Sequence, residues 1–288
     1  MKILRKVCKP NGHEKVYFLG MRIFTYHKQI KIPDFRYEIM KYISVTQCKN
    51  LENLVLGSSH GRDGFIPRKH DFNLSASSLD LYRIWNLYKY VAKNNGKNLK
   101  RIIVFWSVFH PGLQLEKTRQ YIHCVPYKRF YGIDYAFPLP TDDTRALNAL
   151  TKQVKSVVCP PNYRGKSAYI KDIDSPGDAL VEKHIKNTTR NNNQIQFLDN
   201  VAKLAQKNNH KLYIVLPPYR SDYLNCLPKQ QIVFHELFEF LKKHPDVQLL
   251  NFQNDPDFTD FDFGSPDHLI ESGGEKLTKK ICASIYKR

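Results

Sequence analysis

The chain has 288 residues, 42% of them hydrophobic, enough apolar material for a substantial core in one large α/β domain or two smaller ones. Lys and Arg number 45 against 27 Asp and Glu, a formal net charge of +18, which excludes an acidic solvating or disordered domain and points to an anionic partner. No run of about 18 apolar residues exists, so a spanning helix is not expected. The six cysteines are scattered with no C-x-x-C pair, and reduced thiols in a cytoplasmic protein are the expectation.

Residues 1–50 read as a small basic extension. They hold eleven Lys and Arg against Glu14, Asp34 and Glu38. The extension lacks the apolar core and cleavage site of a signal peptide. Its apolar patches, Val16–Leu19 and Met21–Tyr26, suit two short strands turning at Gly20. From Asn53 the pattern changes. Asn53–Leu56 is a short apolar run ended by Gly57-Ser58-Ser59, as expected of a buried parallel strand. Ser78–Lys93 places Leu81, Ile84, Trp85, Tyr88 and Val91 at helical spacing, with Ser78 as the N-cap and Asn94-Asn95-Gly96 as the stop. Arg101–Phe109 reads as a second core strand, so the three segments form a right-handed βαβ unit.

Residues 112–180 show no clean period and read as an insertion or lid. Beyond them come a helix over Asn191–Asn208, a strand over Lys211–Leu216 halted by Pro217-Pro218, and a helix over Gln230–Lys243. A strand over Val247–Phe252 and a terminal helix over Glu275–Tyr286 follow. This alternation predicts an α/β fold, a three-layer α/β/α sandwich on a mainly parallel sheet, occupying residues 51–288. Ligands of such sheets bind beyond the C-terminal strand ends.

Two motifs fall at that edge. Gly57-Ser58-Ser59-His60 follows the first core strand, where a small-residue turn can present a hydroxyl beside free backbone amides. Asp267-His268 follows the last strand and precedes Ser272-Gly273-Gly274, where a helix can start. A serine at the first site and a histidine at the second can meet as nucleophile and base.

Taken together and in this order, the motifs resemble the SGNH (GDSL-like) hydrolase superfamily over about residues 53–288. The resemblance is closest to divergent members associated with bacterial surface-polysaccharide biosynthesis. It places the nucleophile at Ser59, with Ser58 where the family has Asp, and the general base at His268. The segment Phe72–Ser78 stands for the second family block and Trp106–Phe109 for the third. The oxyanion hole then draws on the amides of Ser59 and Ala76 and on the Ser107 hydroxyl, since no Asn follows the second strand. Position 265 is Ser, so the family's Asp-x-x-His spacing is not met. Asp267 or Asp262 is left to orient His268, and a Ser-His dyad is the remaining option.

The resemblance implies a serine esterase or O-acyltransferase acting on acyl groups, O-acetyl foremost, of a bacterial surface glycan. The alternative is a catalytically degenerate relative that binds an anionic glycan or membrane surface. Tyr219 and Arg220, in the loop after Leu216, suit sugar stacking and a bidentate grip on an anion, with His60 beside the nucleophile as a further substrate contact. His60, His110 and His184 lack metal-ligand spacing, and neither metal nor other cofactor is expected. No phosphate-binding glycine loop occurs. The expected partners are a carbohydrate, phosphate-bearing or lipid-linked, and the anionic face of the inner membrane. Without a recognised nucleic-acid module, nucleic acid ranks last.

Overall fold

In the computed structural model the described residues are 4–8, 13–18, 21–27, 32–166, 176–186, 194–229 and 234–286. The chain divides into two compact units. The smaller comprises residues 1–39 with 114–158, and the larger residues 40–113 with 159–288.

Three strands of the smaller unit, β1 (Leu4–Cys8), β2 (His13–Phe18) and β3 (Met21–His27), pair antiparallel in chain order. Two of these match the expected pair of strands, while Leu19 and Gly20 lie outside the described residues. The stretch without a clean period contains α4 (Cys124–Tyr131), ended by left-handed Gly132, and α5 (Thr144–Ser156). Phe35, Tyr121, Val125, Ala146 and Leu150 are buried here, and the Phe35 N–H donates to Gln153 Oε1 at 2.7 Å. Helix α1 (Arg36–Gln47) begins in this unit and ends in the larger one.

The larger unit is built on β4 (Asn53–Gly57), β5 (Asp71–Asn73), β6 (Arg101–Phe105), β7 (Lys211–Leu216) and β8 (Gln248–Asn251). All neighbouring pairs are parallel and the order is β5-β4-β6-β7-β8. The middle strands are buried along nearly their whole length, which is why they read as continuous apolar runs. Helices α3 (Leu81–Asn95) and α7 (Ile195–Lys207) pack on each other and on β4 and β7. A second layer brings Leu277, Ile281 and Ile285 of α10 (Glu271–Ile285) against Val55, Ile103, Phe105 and Val215. The architecture is therefore three-layered α/β/α around a parallel sheet. Among the described residues the unit also holds the shorter helices α2 (Ser59–Gly64), α6 (Gly177–Lys186), α8 (Ser221–Cys226) and α9 (His235–Lys243).

Several local expectations change. Helix α3 starts at Leu81, and its N-cap is Asp80, whose carboxylate accepts from the Arg83 N–H; Ser78 instead adopts φ +54°. Ser and Asp are comparable caps, so the pattern alone did not separate them. The second core strand stops at Phe105, four residues early, and α10 begins four residues before Glu275, taking Gly273 and Gly274 into its first turns. Residues 191–193 and 230–233 of the two expected helices lie outside the described residues. Among the described residues no helix is long and apolar enough to cross a membrane.

The strand order places a topological switch between β4 and β6, since the chain leaves β4 to one side for β5 and returns to the other for β6. A crevice opens at the C-terminal ends of such a strand pair. The turns that follow β4 and β6 carry Ser58, Ser59 and His60, and Trp106 and Ser107.

Candidate active site

Gly57 ends β4 at φ +154°, and a Cβ there would stand 2.7 Å from Phe105 Cβ on the neighbouring strand. Only glycine meets both conditions, so the chain can turn abruptly from β4 into α2. Ser58 caps α2 and is buried, while Ser59, the first residue of the helix, is partly exposed. Gly61 keeps α2 close to the loop after β5: a Cβ there would lie 2.5 Å from Ser75 Oγ.

Across the crevice, β9 (Phe263–Ser265) and β10 (His268–Leu269) form a small antiparallel hairpin in which Ser265 pairs with His268. Pro266 and Asp267 make the connection. Successive side chains of a strand point to opposite faces. Because Asp267 sits in the turn, its carboxylate instead folds back onto the ring of the next residue. His268 Nδ1 lies 2.7 Å from Asp267 Oδ1, and His268 Nε2 lies 2.7 Å from Ser59 Oγ. The Asp267 side chain is 1% exposed and that of His268 26% exposed. A buried carboxylate, an accessible imidazole and an accessible hydroxyl thus stand in one hydrogen-bonded line.

Electrostatics follow from this geometry. Burial pushes the Asp267 carboxyl up, but the facing His268 charge and the bonds from His268 and His60 outweigh it and hold the group well below the usual carboxylate range. Burial pushes His268 down, yet Asp267 more than compensates, and the ring is raised above its ordinary 6.5.

His60 is not open to a substrate, being 3% exposed. Its Nε2 lies 3.0 Å from Asp267 Oδ2 and its Nδ1 2.8 Å from Ser107 Oγ. Ser107 Oγ in turn lies 2.6 Å from Ser58 Oγ. Burial lowers the His60 pKa despite the Asp267 carboxylate. The ring is walled by Phe109, with centroids 6.0 Å apart, and by Tyr219 at 5.7 Å. His184 of α6 approaches the same carboxylate, Nδ1 to Oδ2 3.9 Å, and is bonded to Tyr223 Oη at 2.9 Å.

The remaining residues singled out from sequence are placed as follows. The Ala76 N–H donates to the Gly57 carbonyl at 3.1 Å, and the Ser107 hydroxyl is engaged by His60 and Ser58, so both expected oxyanion donors have other partners. The Ser59 N–H stands in the opening turn of α2, where no intrahelical acceptor exists. Tyr219 is 4% exposed. Arg220 is gripped bidentately by Asp222, with both bonds 2.8 Å, and its backbone N–H donates to Pro266 O, tying the loop after β7 to the turn that holds Asp267. Asp262 serves the Thr259 cap and Lys276, and does not bond His268.

His60, read from sequence as a substrate contact, and Ser58, read only as the counterpart of the family Asp, are instead buried, both as partners of Ser107 and His60 also of Asp267. Sequence reasoning passed over Ser265, whose Oγ lies 3.1 Å from Asp267 Oδ1. The only available signal was the adjacency of His60 to Ser59. One ligand atom each from His60, Asp267 and His268 also lie within 4.8 Å of one another, close enough to surround a cation. No protein-family model matches the chain, and the comparison with curated proteins finds no match.

Proposed function

We propose that the protein is a serine enzyme of the SGNH-hydrolase type that moves acyl groups, O-acetyl foremost, on a bacterial surface glycan, as an esterase or an O-acyltransferase. The observation that carries this reading is the line Ser59 Oγ–His268 Nε2, His268 Nδ1–Asp267 Oδ1, with both separations 2.7 Å. The strand order and the position of Ser59 after the first sheet strand support it, as does the position of His268 before the last helix.

In this mechanism His268 Nε2 takes the Ser59 proton as Oγ attacks the ester carbonyl. Asp267 keeps the other ring nitrogen protonated and stabilises the imidazolium that forms. The Ser59 amide faces the developing oxyanion. His268 returns the proton to the departing sugar oxygen, leaving an acyl-Ser59. Water, or a second sugar hydroxyl deprotonated by His268, then takes the acyl group. The excess of basic residues suits a phosphate-bearing carrier or an anionic membrane face as the site where the glycan is met.

The test is labelling by a fluorophosphonate, with turnover of p-nitrophenyl acetate and an acetylated oligosaccharide. Labelling of wild type that is lost in Ser59→Ala is expected. Equal labelling of both refutes the assignment and leaves the degenerate, glycan-binding alternative.

The clustering of His60, Asp267 and His268 favours a second reading, in which these three side chains would hold a divalent transition metal that would supply Lewis-acid chemistry at this edge of the sheet. Stoichiometric zinc uptake in calorimetry, lost in Asp267→Asn and accompanied by loss of Ser59 labelling, would select it.

A further inference from the structure

Asp267 stands between two imidazoles, and only one of them touches the nucleophile. The proton positions along this arrangement follow one from another. An ionised carboxylate only accepts hydrogen bonds, so each nitrogen facing Asp267 carries its proton: His268 at Nδ1 and His60 at Nε2. A buried, neutral His60 then has a bare Nδ1, which accepts from the Ser107 hydroxyl at 2.8 Å. That uses the one proton of Ser107, so Ser58 must be the donor in the 2.6 Å bond between the two hydroxyls. Ser58 Oγ accepts in its turn from the His60 backbone N–H at 3.3 Å. The loop closes on itself, with all of its side chains buried.

We infer that His60 is a positioning residue: held in one tautomer by Ser107 and Ser58, it pins the second oxygen of Asp267 and so fixes the carboxylate plane that orients His268. The inference rests on the serine-nucleophile reading for its consequence, but not for its geometry.

The need for such a clamp is visible in the chain. A carboxylate rotates about its Cβ–Cγ bond, and Asp267 sits in a two-residue turn without ladder hydrogen bonds of its own strand. Three donors bear on it: His268 Nδ1 at 2.7 Å, His60 Nε2 at 3.0 Å and Ser265 Oγ at 3.1 Å. The first and third meet Oδ1 and leave rotation open. His60 meets Oδ2, and two donors on the two oxygens define the plane. His60 itself belongs to α2, the helix that carries Ser59, so one short element places the nucleophile and also sets the carboxylate behind its base. His110 adds a support from the β6 side, its Nδ1 accepting the Ser107 N–H at 3.1 Å.

The experiment uses the full chain with ¹⁵N-labelled histidine and two readouts. One is the downfield His268 Nδ1–H resonance, assigned by its absence in His268→Gln. The other is the rate of fluorophosphonate labelling at Ser59. His60→Phe removes the donor to Asp267, and His60→Gln restores an N–H at the position of Nε2. We expect His60→Phe to shift or lose the resonance and to slow labelling by about 10²-fold, the effect of a misplaced base. His60→Gln recovers most of both. Ser107→Ala, which removes only the hydroxyl oxygen that meets His60 Nδ1 and Ser58 Oγ, loosens the His60 tautomer and gives a smaller change in the same direction, and it serves if His60→Phe does not fold. An unchanged resonance and labelling rate in folded His60→Phe and Ser107→Ala overturns the inference, as does His60→Gln proving as impaired as His60→Phe. Wild type that resists labelling while its resonance still depends on His60 would support the clamp and refute the serine-nucleophile reading.

Discussion

Replacing Asp267 with Asn removes one charge from the line behind Ser59 and leaves its volume nearly unchanged. Its carboxylate Oδ1 is 2.7 Å from His268 Nδ1. The imidazolium charge spreads over the ring, so the effective separation is about 4 Å, worth about 4 kcal/mol at an effective dielectric constant of about 20. Little solvent screening reduces this, because the Asp267 side chain is 1% exposed. At about 1.4 kcal/mol per factor of ten, the Asn variant should label and turn over about 10³-fold more slowly. The acid limb of kcat/KM should also move. His268 must be neutral to accept the Ser59 proton, so activity rises with pH through its pKa. Burial pulls that pKa down and Asp267 raises it above 6.5. Without the charge the largest upward influence is gone, burial is the largest of those that remain beside the smaller effects of Asp63 and Arg62, and the limb shifts to lower pH. The assay is p-nitrophenyl acetate turnover and fluorophosphonate labelling from pH 5 to 8, with urea unfolding to establish that the variant is folded. A folded Asp267→Asn protein with the wild-type rate and an unmoved limb would refute the electrostatic role given to Asp267.

Acid should destabilise the larger unit early. Burial lowers His60, takes His110 to about 3 and His184 to about 4, so these rings are neutral in the fold and protonate on unfolding. Their stabilisation is complete above the unfolded value near 6.5 and is lost as pH falls toward the folded values, about 1.4 kcal/mol per pH unit for each ring. Urea midpoints at pH 7, 6 and 5 should fall, and His110→Asn, which keeps an acceptor for the Ser107 N–H, should flatten the slope by one proton; a pH-independent midpoint contradicts this. Gly57→Ala should cost about 1–3 kcal/mol, because φ +154° is strained for alanine and its Cβ would meet Phe105, read as a lower urea midpoint. With a net charge of +18, the protein should co-sediment with anionic vesicles and be released by salt, whereas equal binding to neutral vesicles removes the electrostatic argument.

The core strands were legible because a buried parallel strand has to be apolar on both faces, and runs such as Asn53–Leu56 and Lys211–Leu216 announce that directly. The strands β5, β9 and β10, of two or three residues, are too short to show a period. The placement of Ser59 and His268 at one sheet edge was readable from the order of the elements. The choice of Asp267 over Asp262 was not, because neighbours in sequence usually point apart, and only the turn at Pro266-Asp267 folds the carboxylate back. His60 is the clearest case. In sequence it is a residue beside Ser59, read as suited to touching substrate. In the fold it is buried and bonded to a residue 207 positions away. The sequence alone determined which segments had to be buried and at which end of the sheet the polar residues gather, since periodicity is local. Which of those residues meet, and on which oxygen, was decided by the packing of α2 against the β9–β10 hairpin, because hydrogen bonds depend on distances that only the folded chain sets.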